Sequence, residues 1–172
     1  MRAIFGDAAA ATFLQGEESD QELIGPFVFG SNGAGYDKII VEAGGARHPQ
    51  PNEQHERKLL MNGPEVFSFT ISTVPRTVKK LLSDANLNLE DVDKFIYHQA
   101  NTYMLEHLRK KSKIDEDKFC VDMEDIGNTV SATIPIAFKR ALERGEIKCG
   151  DRVMLVGFGV GLSWAGTLCT IP

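Results

Sequence analysis

Cysteine is scarce in this chain of 172 residues: Cys120, Cys149 and Cys169 are the whole set, and no two are spaced as C-x-x-C. Three scattered thiols build neither a disulfide framework nor a thiolate zinc site, so reduced cysteines are expected. Cys120 sits in the strand-like run Phe119-Cys120-Val121, Cys149 in the turn Lys148-Cys149-Gly150-Asp151, and Cys169 in an alternating C-terminal strand. None lies between a buried strand and a helix start, where an activated thiolate is usually held, so none is assigned as a nucleophile. His48, His55, His98 and His107 show neither H-x-x-x-H spacing nor a cysteine partner, and no metal site or cofactor is expected. Positive charge is also in short supply. Lys and Arg number 19 against 24 Asp and Glu, a net charge of -5, which excludes general nucleic-acid binding because no surplus cation is present to displace counterions. No apolar run approaches the ~18 residues that span a bilayer. The opening Met1-Arg2-Ala3-Ile4-Phe5 meets Gly6-Asp7 too soon for the apolar stretch of a signal peptide. These absences predict a soluble, cytoplasmic protein with no membrane or nucleic-acid partner.

What is present is the composition of an ordinary globular domain, 42% hydrophobic and 25% charged. Ala3 to Leu14 reads as a strand through small residues, and Phe27-Val28-Phe29 and Tyr36 to Val41 as two more, parted by the turn-rich Gly30-Ser31-Asn32-Gly33-Ala34-Gly35. Gly44 to Asn62 is polar and aperiodic, a long surface loop. A helix is predicted from Pro64, a residue suited to the first helical position, with Phe67, Thr70, Ile71, Val74, Val78, Leu81 and Leu82 on one face and a kink at Pro75. Lys94 to Tyr97 is a short apolar strand ending at His98. Asn101 caps a second helix with Met104, Leu105 and Leu108 inward and Arg109-Lys110-Lys111 at its end. Lys118 to Val121 reads as another strand. Gly127-Asn128 precedes a third helix stopped by Gly145, and Arg152 to Phe158 and Leu162 to Ile171 close the chain as two strands. From residue 64 the order is α-β-α-β-α-β-β, which predicts an α/β domain: a mixed, mainly parallel sheet covered by helices, with a terminal antiparallel hairpin.

In such sheets, sites gather at the carboxyl ends of strands. His98 ends a strand and Asn128 stands before a helix. Taken singly, a histidine there is more often structural, and Gly-Asn is more often a turn or a cap.

Their context resolves this. His98-Gln99-Ala100-Asn101, Gly127-Asn128-Thr129-Val130-Ser131-Ala132 and Gly157-Phe158-Gly159-Val160-Gly161-Leu162-Ser163-Trp164 together resemble the 3-oxoacyl-acyl-carrier-protein synthase III family. Phe5-Gly6-Asp7-Ala8-Ala9-Ala10, Gly44-Gly45-Ala46-Arg47-His48-Pro49 and Met61-Asn62-Gly63-Pro64-Glu65-Val66-Phe67 resemble it too, in the same order over nearly the whole chain. The resemblance implies a thiolase-like fold of two similar halves, of which this chain holds the second. Residues 1–45 resemble the last strands of the N-terminal half, and 46–172 a C-terminal half-domain. The family's catalytic group is a Cys, a His and an Asn. His98 and Asn128 match two of these, and the cysteine belongs to the missing N-terminal half.

That implied role suits the residue types. Decarboxylation of a malonyl thioester, the step before Claisen condensation with an acyl thioester, puts negative charge on the thioester oxygen, which an imidazole N–H and an amide NH2 can stabilise. Phe158 resembles the ring near the nucleophile, where an apolar wall weakens solvation of the departing carboxylate. Asn101, Gly63 and Phe67 match positions lining the pantetheine tunnel, although Asn101 as a helix cap and Phe67 as core serve equally well. Arg109, Lys110 and Lys111 match a basic patch that docks acyl carrier protein, while most charge runs are solvated faces. Two residues depart from the pattern: Tyr103 where the family usually has Arg, and Ser68 where some members carry Lys. Implied partners are acyl-CoA and malonyl-ACP, the carrier protein, the missing half, and a second copy in a full-length homodimer. The isolated chain is expected to be inactive and to expose an apolar face. Three alternatives stand beside this reading: an inactive fragment or thioester-binding scaffold, a polyketide-type synthase, and a nucleotide-binding module suggested by Gly157-x-Gly159-x-Gly161. The last lacks the helix that must follow such glycines.

Overall fold

The computed structural model describes residues 4–172. Its elements run β1 (Ile24–Ser31), β2 (Ile39–Val41), β3 (Leu59–Met61), α1 (Gly63–Ala85), β4 (Lys94–Tyr97), α2 (Thr102–Ser112), α3 (Thr133–Glu143), β5 (Arg152–Gly159) and β6 (Ser163–Thr170). β1, β6, β5 and β4 form one sheet in that order, and β2 pairs with β3 separately.

The alternation of side chains along each strand builds three layers. Phe95 and Tyr97 of β4, Met154 and Val156 of β5 and Leu168 of β6 pack in one cluster with Val74, Val78 and Leu81 of α1 and Leu105 and Leu108 of α2. The intervening Ile96 and Val153 join Ala137 and Ala141 of α3 in a second cluster. β4 is therefore buried along its whole length, which explains the apolar run Phe95 to Tyr97, while the buried Lys94 at its start pairs with Glu146 at 2.7 Å. Helix termini follow local chemistry: the Asn62 side chain accepts from the Glu65 amide at 3.2 Å, Asn101 accepts from Met104 at 2.8 Å, and α1 ends on Asn86 at φ 54°. α1 continues through Pro75, where a kink was predicted, without interruption.

Four expectations need correction. The strand predicted from Ala3 to Leu14 is reduced to a bridge between Phe5 and Asn128, Ala3 lying outside the described residues; residues 7–22 are exposed and irregular. A strand needs a neighbour for its backbone groups, and the small side chains of Ala8 to Ala11 find none here. Lys118 to Val121 likewise makes a single bridge, Phe119 to Phe95, with hydrogen bonds of 2.8 and 2.9 Å on either side. The polar loop ends early, because Leu59, Leu60 and Met61 pair with Val41, Ile40 and Ile39. The sheet is mixed as expected, yet its parallel part is the β4–β5 pair alone, while β5–β6 and β1–β6 are antiparallel. β1, which precedes residue 45, completes the same sheet as β4, β5 and β6.

Candidate active site

His98 follows β4 directly, its amide donating to the Val156 carbonyl at 2.9 Å so that the strand ladder carries the residue to the sheet's end. The next residue fixes the turn. Gln99, 1% exposed, donates to the Tyr97 carbonyl at 2.7 Å and the Cys120 carbonyl at 3.4 Å, and accepts from the Asp122 amide at 2.8 Å. A buried amide with both ends satisfied ties the His98 turn to the Cys120–Asp122 segment.

Asn128 is held from the other side. Its amide donates to the Ile4 carbonyl at 2.8 Å and its carbonyl accepts from Gly6 at 3.0 Å. That approach requires glycine twice: a Cβ on Gly6 would lie 1.8 Å from the Ile126 carbonyl oxygen, and one on Gly127, at φ +65°, would lie 2.8 Å from that of Ile4. The Asn128 side-chain oxygen accepts from the Val130 amide at 2.9 Å. The carboxamide nitrogen has no protein partner among the described residues. Val130 adopts φ 56°, a left-handed conformation that is strained for a β-branched residue.

The His98 ring is fixed by two neighbours. Its Nδ1 lies 2.7 Å from the Thr133 hydroxyl, and the Phe158 ring stands edge-on at 5.4 Å between centroids. Burial pushes the imidazole pKa down to about 4, partly opposed by the Val130 carbonyl. At neutral pH the ring is uncharged.

His98, Asn128 and Phe158 line one cavity of about 1070 Å³, and Asn101, Gly63 and Phe67 line it as well. All six candidate catalytic and substrate residues are thus brought together. Tyr103 stands exposed at this cavity, its ring centroid 4.2 Å from that of His107 and 5.8 Å from that of Phe67. Ser68 instead lines a second groove with Arg76 and Lys80.

The basic run is not in the cavity. Arg109 grips Glu106 through two hydrogen bonds of 2.8 and 2.9 Å and donates to the Ile114 carbonyl at 3.2 Å. Lys110 shares Glu106 at 3.0 Å, and the two cations hold that carboxyl at a pKa of about 2. Lys111 is exposed, with no ion pair among the described residues. Among the described residues no cysteine lines the cavity. Burial raises the Cys120 thiol to about 11 and also raises Cys169. Among the described residues no cluster of His, Cys, Asp and Glu is placed to hold a metal ion, and no helix is long and apolar enough to cross a membrane.

Sequence reasoning missed Thr133 and Val130 as parts of the site, and missed that Ile4 and Phe5 wall it. Val130 lies in the Gly-Asn block with Thr133 directly after that block, and Phe5 opens the Phe-Gly-Asp block with Ile4 directly before it; that adjacency was the available signal.

A layered mixed sheet with His98 directly after β4 and Asn128 in the loop before α3 is an α/β arrangement, and its solved structural neighbours place it in the thiolase-like class. A crystal structure of 3-oxoacyl-(acyl-carrier-protein) synthase III superposes with TM-score 0.86 and 44% identity, covering 91% of this chain and 50% of that one. The priming β-ketosynthase of the R1128 polyketide biosynthetic pathway superposes with TM-score 0.81 and 31% identity over 90% of this chain and 46% of its own. In sequence, β-ketoacyl-[acyl-carrier-protein] synthase III of Clostridium tetani is 36% identical over 96% of this chain and 52% of its own length. Residues 82–171 match the family described as 3-oxoacyl-[acyl-carrier-protein (ACP)] synthase III C terminal. The chain belongs to the 3-oxoacyl-[acyl-carrier-protein] synthase III family. It spans about half the length of the curated relatives it matches.

Proposed function

We propose that this chain supplies the decarboxylation half of a condensing site: His98 and Asn128 stabilise the enolate formed from a malonyl thioester, and a cysteine from outside these residues carries the acyl group. The observation that carries the reading is one cavity that, among the described residues, holds an uncharged imidazole, an amide nitrogen without a protein partner and an apolar ring, with no thiol in its walls. In the reaction the bond from the malonyl carbon to its carboxylate breaks. Carbon dioxide leaves, and the electron pair passes to the thioester oxygen. The enolate carbon then attacks the acyl thioester carbonyl, and the enzyme thiolate is expelled. Two neutral donors suit that oxyanion, each worth roughly 10²–10³ in rate. Phe158 excludes water from the leaving carboxylate.

Asn101, Gly63 and Phe67 would line the path of the pantetheine arm. Lys110 and Lys111 would meet an acidic carrier protein; Arg109, engaged with Glu106, serves the helix end first. Phe13 and Phe29 are 84% and 74% exposed, and Leu14 and Phe27 also face solvent. Such apolar exposure supports a covering partner, which we assign to an N-terminal half-domain and, through it, a homodimer acting in the cytoplasm in fatty-acid biosynthesis.

The test is the intact mass of this chain after incubation with acetyl-CoA and with longer acyl-CoAs. No adduct is expected, and the chain alone should not condense acetyl and malonyl thioesters. A stoichiometric, hydroxylamine-labile adduct on Cys120, Cys149 or Cys169 would overturn the assignment. The similarity to the R1128 priming β-ketosynthase supports a second reading, a polyketide-type priming role with the same His and Asn chemistry. The acyl primers accepted by the enzyme assembled with a thiol-bearing half separate the two.

A further inference from the structure

A neutral imidazole carries one N–H, and its position decides what His98 can do. With the proton on Nε2 the ring donates from Nε2 and accepts at Nδ1; with the proton on Nδ1 it donates from Nδ1 and presents only a lone pair at Nε2. The neighbour of Nδ1 sets this choice. Among the described residues the one side chain in hydrogen-bond contact with Nδ1 is Thr133, whose Oγ1 lies 2.7 Å away. The same oxygen stands 2.9 Å from the Val130 carbonyl, so a single hydroxyl proton faces two acceptors. The carbonyl has another donor, since the backbone N–H of Thr133 already bonds to it. Among the described residues the imidazole Nδ1 has no other donor, is the closer of the two and is the stronger base.

We propose that Thr133 is a positioning residue for His98: its hydroxyl donates to Nδ1 and holds the neutral ring as the Nε2–H tautomer, with Nε2 left as the donor toward the cavity. The site is built for this. Thr133 is 2% exposed and opens α3 at the cavity wall, so its side chain is held by the helix and by its hydrogen-bond contacts. The left-handed turn at Val130 brings the Val130 carbonyl beside the same hydroxyl. With a methyl in place of the hydroxyl, the Val130 carbonyl, which stands beside that hydroxyl and interacts with the imidazole, is the acceptor left on this side of the ring among the described residues. It can only accept, so it draws the ring proton to Nδ1 and strips Nε2 of its hydrogen. The inference rests on the reading of His98 as an oxyanion donor.

The experiment is long-range proton–nitrogen NMR of the chain labelled with ¹⁵N-histidine, recorded at neutral pH on wild type, Thr133→Val and Thr133→Ser. Wild type and Thr133→Ser are expected to show a protonated Nε2 and a bare Nδ1, and Thr133→Val the reverse. A protonated Nδ1 in wild type overturns the proposal, and this spectrum decides even if the valine variant does not fold. An unchanged tautomer in a folded Thr133→Val overturns it equally. In the enzyme assembled with a thiol-bearing half, decarboxylation by Thr133→Val should fall roughly 10²–10³-fold and recover in Thr133→Ser. If the tautomer inverts and decarboxylation holds, Thr133 keeps its role and the donor reading of His98 fails instead.

Discussion

The Phe158 ring meets the His98 imidazole edge to face, with centroids 5.4 Å apart and planes 74° to each other. A phenyl edge against a ring nitrogen heterocycle keeps water from one side of it, and burial is the main cause of the depressed His98 pKa. Phe158→Ala should therefore raise that pKa from about 4 toward the ordinary 6.5, as an NMR titration of the His98 ring protons would read. Removing a buried aromatic also costs stability, about 3–5 kcal/mol. An unmoved pKa in the folded variant would mean that other walls of the cavity dry the imidazole.

The same group links stability to pH. The folded-state pKa lies below the unfolded value, so the unfolded chain takes up the proton first. Stability is complete above about pH 6.5 and is lost as pH falls toward 4. The full difference corresponds to about 3 kcal/mol, less where the ring meets solvent in the cavity. Urea midpoints of wild type should drop across this window, and those of His98→Gln should not. Glu106 and Asp125, whose carboxyls are depressed by arginine partners, lose their contribution as pH falls below the ordinary carboxylate range, so the difference curve isolates the histidine.

Gln99 makes the turn that presents His98. Gln99→Leu leaves the Tyr97 carbonyl and the Asp122 amide without their side-chain partner in a buried place. A loss of about 2–4 kcal/mol is expected by chemical denaturation, since unsatisfied buried groups cost about 1–3 kcal/mol each. Hydrogen exchange at Asp122 should accelerate beyond what the global change explains.

Val130 tests the strain at the site. Asparagine tolerates the left-handed region that valine resists, so Val130→Asn should stabilise the chain by about 1 kcal/mol. A higher denaturation midpoint with an unchanged slope is the expected result. A lower midpoint would show that the exposed valine side chain contributes more through packing than its backbone costs.

Much of this arrangement was legible along the chain. Asn101 as a cap, the buried strand from Lys94 to Tyr97, and the placing of His98 and Asn128 follow from capping chemistry, from an apolar run and from their residue blocks. The failures share one cause. Ala3 to Leu14 and Lys118 to Val121 have strand-like sequences, yet a strand is completed by its neighbours, and each finds one residue to pair with. Leu59 to Met61 is the converse, a weak signal made a strand by β2. Arg109 read as part of an open basic patch because charge is visible in sequence, while its engagement by Glu106, one helical turn earlier, depends on side-chain geometry.

By itself the sequence determined the order of the three helices with β4, β5 and β6, the placing of His98 after β4 and of Asn128 before α3, and the glycines at positions 6 and 127. These are properties of residue type and local spacing. Only the tertiary structure decided that Ile4 lies against Asn128, that Thr133 meets His98 and that the Phe158 ring stands edge-on to it. Each of those contacts joins segments far apart in the chain, and the packing of α3 and β5 against β4 sets the distances between them.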